Sequence, residues 1–250
     1  MSEVVFVGTS DAFGAGGRRQ SAIVARGDRG SLLVDCGTTT VAGLAELSIE
    51  RDEIDAMVIS HFHADHFGGI PLFLLAARYL DQRTAPIWIA GPPDVERRVR
   101  ALADAMGHPI TEDLPFDIHF QELHADPDGG AGVSREVGPA QIRAFETQHQ
   151  IEAHPHGYSI ELGRQRIAYS GDTGWFDALP SYVAGSDLFI CECTQHRREL
   201  DFHLSLEELA LHRNEFDCGQ FVLTHLGDGM QAQRGHCEFE TADDGLSLKL

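Results

Sequence analysis

Positive charge is scarce in this sequence. Only 19 Lys and Arg stand against 39 Asp and Glu over 250 residues, a formal net charge of −20. Non-specific affinity for nucleic acid comes from cations that neutralise phosphates, so a large nucleic-acid partner is disfavoured, and an anionic membrane surface equally so. Cysteine is sparse too. Cys36, Cys191, Cys193, Cys218 and Cys237 make an odd number without a C-x-x-C pair, which reads as reduced thiols rather than a disulfide framework. Long apolar runs are missing. The longest, through residues 71–80, is broken by Arg78 and falls short of the roughly 20 residues that span a bilayer. No basic segment precedes the apolar residues near the start, unlike a secretory signal. These features point to a cytoplasmic protein with no membrane association.

What is present suffices for a packed core. Apolar residues make up 42% and charged residues 23%, a globular balance rather than a disordered one. Short apolar runs ending in polar or Gly-rich turns predict strands at residues 4–7, 21–25, 32–35, 56–60, 87–90, 142–147, 158–162, 166–170, 188–192 and 221–224. Helical patterns lie at 39–47, 67–80 and 95–106. Ser205-Leu206-Glu207-Glu208 is a capping box, opening a helix to about residue 215 with Leu206, Leu209 and Ala210 toward the core. Residues 125–132 are the best candidate for a mobile loop. The run Phe73-Leu74-Leu75 suits the core or a homo-oligomer interface equally. No linker, repeat or low-complexity tract divides the chain, so residues 1–250 read as one mixed α/β domain with two sheets and outer helices.

Histidine is abundant, with 14 residues, and its placement is not random. His61-Phe62-His63-Ala64-Asp65-His66 puts four potential metal ligands into six residues directly after a strand. His61 and His63 could reach one ion, and Asp65 and His66 a second. One Zn²⁺ takes about four ligands, so two ions need further donors at strand ends. His149, Asp172 and His225 each stand where an apolar run stops. His154 and His156 are alternatives to His149. A carboxylate can bridge two cations, which makes Asp172 the natural shared ligand. The expected sets are His61, His63 and His149 for one ion and Asp65, His66 and His225 for the other. A hydroxide held between two such ions is a nucleophile at neutral pH. Zn²⁺ is the first choice, with Mn²⁺ or Fe as alternatives.

These residues carry a resemblance. Val7-Gly8-Thr9-Ser10, Leu33-Val34-Asp35-Cys36-Gly37, the H-x-H-x-D-H hexapeptide, Ser170-Gly171-Asp172-Thr173, Thr224-His225 and residues 242–246 occur in the order found in the metallo-β-lactamase superfamily. Cys191-Glu192-Cys193-Thr194 followed by His203-Leu204-Ser205 resembles its ribonuclease Z-like phosphodiesterase branch. The resemblance implies an αββα sandwich with the metals at one edge between the sheets. It also implies that His203 faces the scissile phosphate and stabilises or protonates the leaving oxygen, that Glu192 orients His203, and that Asp65 both ligates a metal and takes the proton of the attacking water.

Two features depart from the enzymes of that branch that mature tRNA. They carry a protruding arm between the third ligand and the bridging Asp, whereas His149 and Asp172 are only 23 positions apart. The segment 226–230, Leu-Gly-Asp-Gly-Met, lacks the Ser and the Arg-Tyr expected after the last His. The spacing is closer to short relatives that act on small substrates, such as cyclic-ribose and cyclic-nucleotide phosphodiesterases. The leading expectation is therefore a dinuclear metal-dependent hydrolase for a small or cyclic phosphodiester. The alternatives are a tRNA 3′ endonuclease and a lactone, ester or thioester hydrolase on the same centre. The Gly-rich segment 8–20 is either a plain turn or a substrate-lining loop, with Arg18 and Arg19 either touching a phosphate or solvated. His154, His156 and His196 could border the mouth of the site and are assigned no role there.

Overall fold

The computed structural model describes residues 2–111, 113–126 and 130–250. Strands β1 (Glu3–Gly8), β2 (Ala22–Gly27), β3 (Gly30–Val34), β4 (Ile54–Val58), β5 (Ile87–Gly91) and β6 (Ile118–Glu122) form most of one sheet. Strands β7 (Arg135–Val137), β8 (Ala140–Glu146), β9 (His156–Leu162), β10 (Gln165–Tyr169), β11 (Ser186–Glu192), β12 (Cys218–Thr224) and β13 (Glu240–Thr241) form the other. The final strand, β14 (Ser247–Lys249), returns to the first sheet beside β1, so the orders are 14-1-2-3-4-5-6 and 13-12-11-10-9-8-7. Pairing is parallel from β3 to β6 and from β10 to β13, and antiparallel elsewhere.

The strands read as continuous apolar runs because both faces are covered. Val4 and Phe6 of β1 face the other sheet and share one core cluster with its Ile142, Tyr158, Ile160 and Ile190. Val5 and Val7 point outward beneath helices. In β11, Leu188 and Ile190 face inward while Phe189 and Cys191 face outward. Helices α1 (Thr40–Glu46), α2 (Ala64–Phe67), α3 (Ile70–Tyr79) and α4 (Val95–Ala105) belong to the first half of the chain, and α5 (Leu179–Val183) and α6 (Leu206–His212) to the second. The result is two seven-stranded mixed sheets packed face to face with helices outside. No helix among the described residues is long and apolar enough to cross a membrane.

Several expectations are corrected by packing. The helix predicted over 67–80 is two helices, broken at Gly68-Gly69. A Cβ at Gly69 would lie 2.2 Å from the Gly37 carbonyl oxygen, so the chain needs glycine to approach that strand-end turn. Phe73 and Leu74 enter the core, whereas Tyr79 and Leu80 are exposed. The box at Ser205 forms as expected, with the Ser205 hydroxyl accepting from the Glu208 amide and the Glu208 carboxylate accepting from the Ser205 amide. Its helix stops at His212, followed by a 3₁₀ turn to Glu215. Leu206 and Leu209 are buried, but Ala210 is exposed, because so short a helix touches the core through one narrow ridge. Strands β6, β7 and β13 and helix α5 gave no clear apolar pattern; they are short, and the three strands are polar or near an edge. Of the loop expected at 125–132, residues 127–129 lie outside the described residues.

The Gly69 contact yields a stability test. Gly69→Ala should destabilise the chain by about 1–3 kcal/mol, the usual range for overpacking. Urea unfolding should show a lower midpoint with an unchanged slope.

Candidate metal centre

Strands β3, β4, β8, β10, β11 and β12 all end at one edge of the sandwich, and the chain just beyond each end carries a polar residue into it. After β4 the backbone turns through Ser60 and His61 into the single turn of α2, which presents Asp65 and His66. His149 follows β8, Asp172 follows β10, Glu192 ends β11 and His225 follows β12. His225 adopts a left-handed backbone, φ 55°, uncommon outside glycine and found at many functional sites.

The structure brings all nine residues singled out in the sequence to this edge. His61, His63 and His149 make one donor cluster, and Asp65, His66, Asp172 and His225 make a second. His61 Nε2 lies 3.0 Å from His63 Nδ1, and His149 Nε2 lies 3.1 Å from the same atom. Asp65 Oδ2 is 3.2 Å from His66 Nε2 and 3.3 Å from His225 Nε2. Asp172 stands between the clusters, with Oδ2 3.8 Å from His61 Nε2 and Oδ1 3.4 Å from His66 Nε2. His203 and Glu192 sit alongside, His203 Nδ1 being 2.7 Å from Glu192 Oε1. His154 and His156 belong to neither cluster. They line a cavity of about 450 Å³ that also touches His149, Gln148 and Pro93.

Neighbouring groups set which imidazole nitrogen faces the centre. His61 Nδ1 donates to Ser60 Oγ at 3.0 Å, whose own hydroxyl donates to Asp35. His66 Nδ1 donates to Asp35 Oδ2 at 2.7 Å, and His149 Nδ1 donates to the Phe202 carbonyl at 2.8 Å. In each case Nε2 is the nitrogen directed inward, the arrangement that metal-bound histidines share.

The electrostatics separate the clusters. Burial pushes the His61 imidazole well below its ordinary pKa and lowers His63 and His149, keeping all three in the neutral form that can ligate a cation. Burial acts the same way on His66 and His225, but Asp172, with Asp65, outweighs it and raises both. Burial would raise the two carboxyls in turn; His66 and His225 instead hold Asp65 and Asp172 far below the usual carboxylate range. Asp172 Oδ1 is buried without a hydrogen-bond partner. Converging neutral imidazoles, two ionised carboxylates and an orphaned oxygen suit a divalent metal site, since a cation compensates the buried charge.

Asp35 and Tyr169 join the site from positions to which the sequence assigns no role. Asp35 is fully buried, and its Oδ2 accepts from His66, from Ser60 Oγ at 2.9 Å and from Tyr169 OH at 2.7 Å. An acid closing an apolar strand run was the available signal. Arg18 and Arg19 are neither solvated nor at the metal centre. Arg18 is buried beside the Ala242 carbonyl and Asp243, and Arg19 donates to the Val7 carbonyl and Glu46, tying the Gly-rich loop to its surroundings. His196 lines a shallow cleft with Asp11, Thr194 and Asp228.

Burial opposes a charged His203, but the adjacent Glu192, with a smaller push from Asp172, raises it to about 9. A folded-state pKa above the ordinary value means the stabilisation is complete below about pH 6.5 and disappears as pH rises through about 9. In metal-free protein, NMR titration should find His203 titrating near the upper value. In Glu192→Gln it should titrate at lower pH, because the carboxylate that raises it is gone.

The model of the family described as anti-Pycsar protein Apyc1 matches residues 2–242. An anti-Pycsar protein Apyc1 of Bacillus phage 010DV004 is 28% identical over 238 residues, covering 92% of this chain and 90% of that protein. A ribonuclease Z of Lachnoclostridium phytofermentans is 34% identical over 164 residues, 66% of this chain; the match spans only 50% of that protein's length. The crystal structure of the metallo-β-lactamase fold protein YhfI from Bacillus subtilis superposes with a TM-score of 0.78 at 21% identity, covering 100% of both chains. The two-sheet sandwich is thus the metallo-β-lactamase fold expected from the sequence, and the chain belongs to the anti-Pycsar protein Apyc1 family.

Proposed function

We propose that this protein is a dinuclear metal-dependent phosphodiesterase for a small or cyclic phosphodiester. The observation that carries the reading is the pair of donor clusters, with Asp172 of the second only 3.8 Å from His61 Nε2 of the first and the His203–Glu192 pair beside them. His61, His63 and His149 would hold one ion, Asp65, His66 and His225 the other, and Asp172 both. Zn²⁺ is the first choice for this donor set, with Mn²⁺ or Fe as alternatives. Divalent ions in such a site supply Lewis-acid stabilisation of phosphoryl oxygens and a nucleophile at neutral pH.

The remaining chemistry belongs to the side chains. Asp65, ionised and in the second cluster, accepts the proton of the attacking water. Glu192 Oε1 holds His203 Nδ1, so His203 Nε2 is the atom that gives a proton to the leaving oxygen. Glu192 itself is anchored by the backbone amides of Thr173 at 2.9 Å and Thr194 at 3.0 Å.

Substrate size follows from two features. The chain between His149 and Asp172 is consumed by a 3₁₀ turn and the β9–β10 hairpin, which leaves no arm there to grip a tRNA. The net charge of −20 opposes a polyanion at longer range. The ribonuclease Z relative favours a second reading, tRNA 3′ endonuclease, and a precursor-tRNA cleavage assay separates the two.

With Zn²⁺ or Mn²⁺ added, the protein should hydrolyse bis(p-nitrophenyl) phosphate and a cyclic nucleotide. Asp65→Ala should abolish turnover, and His203→Ala should lower kcat by about 10²–10⁴. Full activity in Asp65→Ala would overturn the mechanism.

A further inference from the structure

Between His225 of the second cluster and the His203–Glu192 pair lies the hydroxyl of Thr194. Its Oγ1 is 2.8 Å from Glu192 Oε2, 2.9 Å from His225 Nδ1 and 3.3 Å from His203 Nδ1. A threonine hydroxyl has one proton to donate and two lone pairs with which to accept. Two oxygens compete for the proton, Glu192 Oε2 at 2.8 Å and the His225 carbonyl at 3.2 Å. The carboxylate is both nearer and charged, so the proton goes to Glu192. The hydroxyl oxygen must then accept from His225, which places a proton on His225 Nδ1 and leaves Nε2 as the nitrogen available to a cation. That nitrogen is the one 3.3 Å from Asp65 Oδ2 and 3.5 Å from Asp172 Oδ2.

We infer that Thr194 is a positioning residue that couples the second metal cluster to the proton-donating pair. It fixes the tautomer and ring plane of His225 and at the same time holds the carboxylate that orients His203. The direction of donation is continuous: His225 Nδ1–H to Thr194 Oγ1, Thr194 O–H to Glu192 Oε2, with His203 Nδ1–H arriving at the other carboxylate oxygen. Each imidazole thereby keeps Nε2 for its own task. The inference rests on reading His225 as a ligand and His203 as the acid. It goes beyond that reading in making the two interdependent, because neither can turn without disturbing a hydroxyl or carboxylate that the other uses.

Thr194→Val keeps the shape and removes the hydroxyl, while Thr194→Ser keeps the hydroxyl. Zn²⁺ is titrated into the chelated full chain, with binding read by calorimetry and metal analysis. The valine variant should lose about 10–100-fold in affinity for one of two ions, as expected when a metal ligand loses its hydrogen-bond partner, and keep the other ion. Its kcat should fall more than its KM changes. Serine should restore both. Wild-type affinity for both ions in the valine variant, or a serine variant no better than valine, would overturn the inference. Should valine prevent folding, ¹⁵N NMR of the zinc-loaded wild type decides: a proton on His225 Nδ1 supports the inference, and a bare Nδ1 overturns it. These metal-binding readouts do not depend on turnover. A wild type that binds both ions but cleaves no phosphodiester therefore defeats the proposed function while the titration still decides the coupling.

Discussion

The need to neutralise buried carboxylates organises this protein. Asp35, Asp65 and Asp172 lie at or near full burial at one edge of the sandwich, and no Arg or Lys among the described residues pairs with them. An ionised carboxylate taken out of water is costly unless hydrogen bonds and opposite charge compensate it. Imidazoles provide that compensation here. Asp35 is met by His66, Ser60 and Tyr169, while Asp65 and Asp172 are met by His66 and His225. Because imidazole can be neutral or charged, the same groups can give up protons and accept a cation instead. The edge is thus a structure stabilised by charge balance and also a place where a divalent ion is chemically welcome.

The fold serves that edge by delivering polar side chains from six strand ends while keeping everything behind them apolar. Both faces of each sheet are covered, so most strands read as unbroken apolar runs, and the first position free to be polar is the one past the end of a run. This is why His61, Asp172 and His225 stand where they do. The two sheets contribute in turn: Asp35 and the His61–His66 loop come from the first, and His149, Asp172, Glu192 and His225 from the second. Neither sheet holds a full donor set, so the centre exists only when the two are packed.

Legibility in the sequence followed the locality of each signal. The H-x-H-x-D-H hexapeptide is contiguous, and the other donors abut apolar runs, so both were readable. In the sequence, His149 is favoured over His154 and His156 only because it abuts the strand. In the structure His154 occupies a left-handed turn and His156 opens β9 against a side cavity. Asp35, Tyr169 and Thr194 were not assigned roles because each acts on a partner distant in sequence; Tyr169 and Asp35 are 134 positions apart. The edge strands were missed because three short, mostly polar residues such as Arg135–Val137 carry no periodicity. Arg18 and Arg19 look like solvated charges in the sequence, and their burial depends on a loop and on a strand end more than 200 positions away.

The sequence alone determined which chemistry was available: imidazoles and carboxylates at the ends of apolar runs, few cations, and too little chain between His149 and Asp172 for an added arm. Those are facts of composition and spacing, and they do not depend on how the sheets pack. Tertiary structure alone decided how the donors divide into two clusters, which nitrogen of each imidazole points inward, and which groups carry charge. Those outcomes depend on burial and on hydrogen bonds between residues brought together from opposite sheets. Local sequence cannot encode them, because the energy of a proton on His66 or His225 is set by carboxylates that arrive only when the sandwich closes.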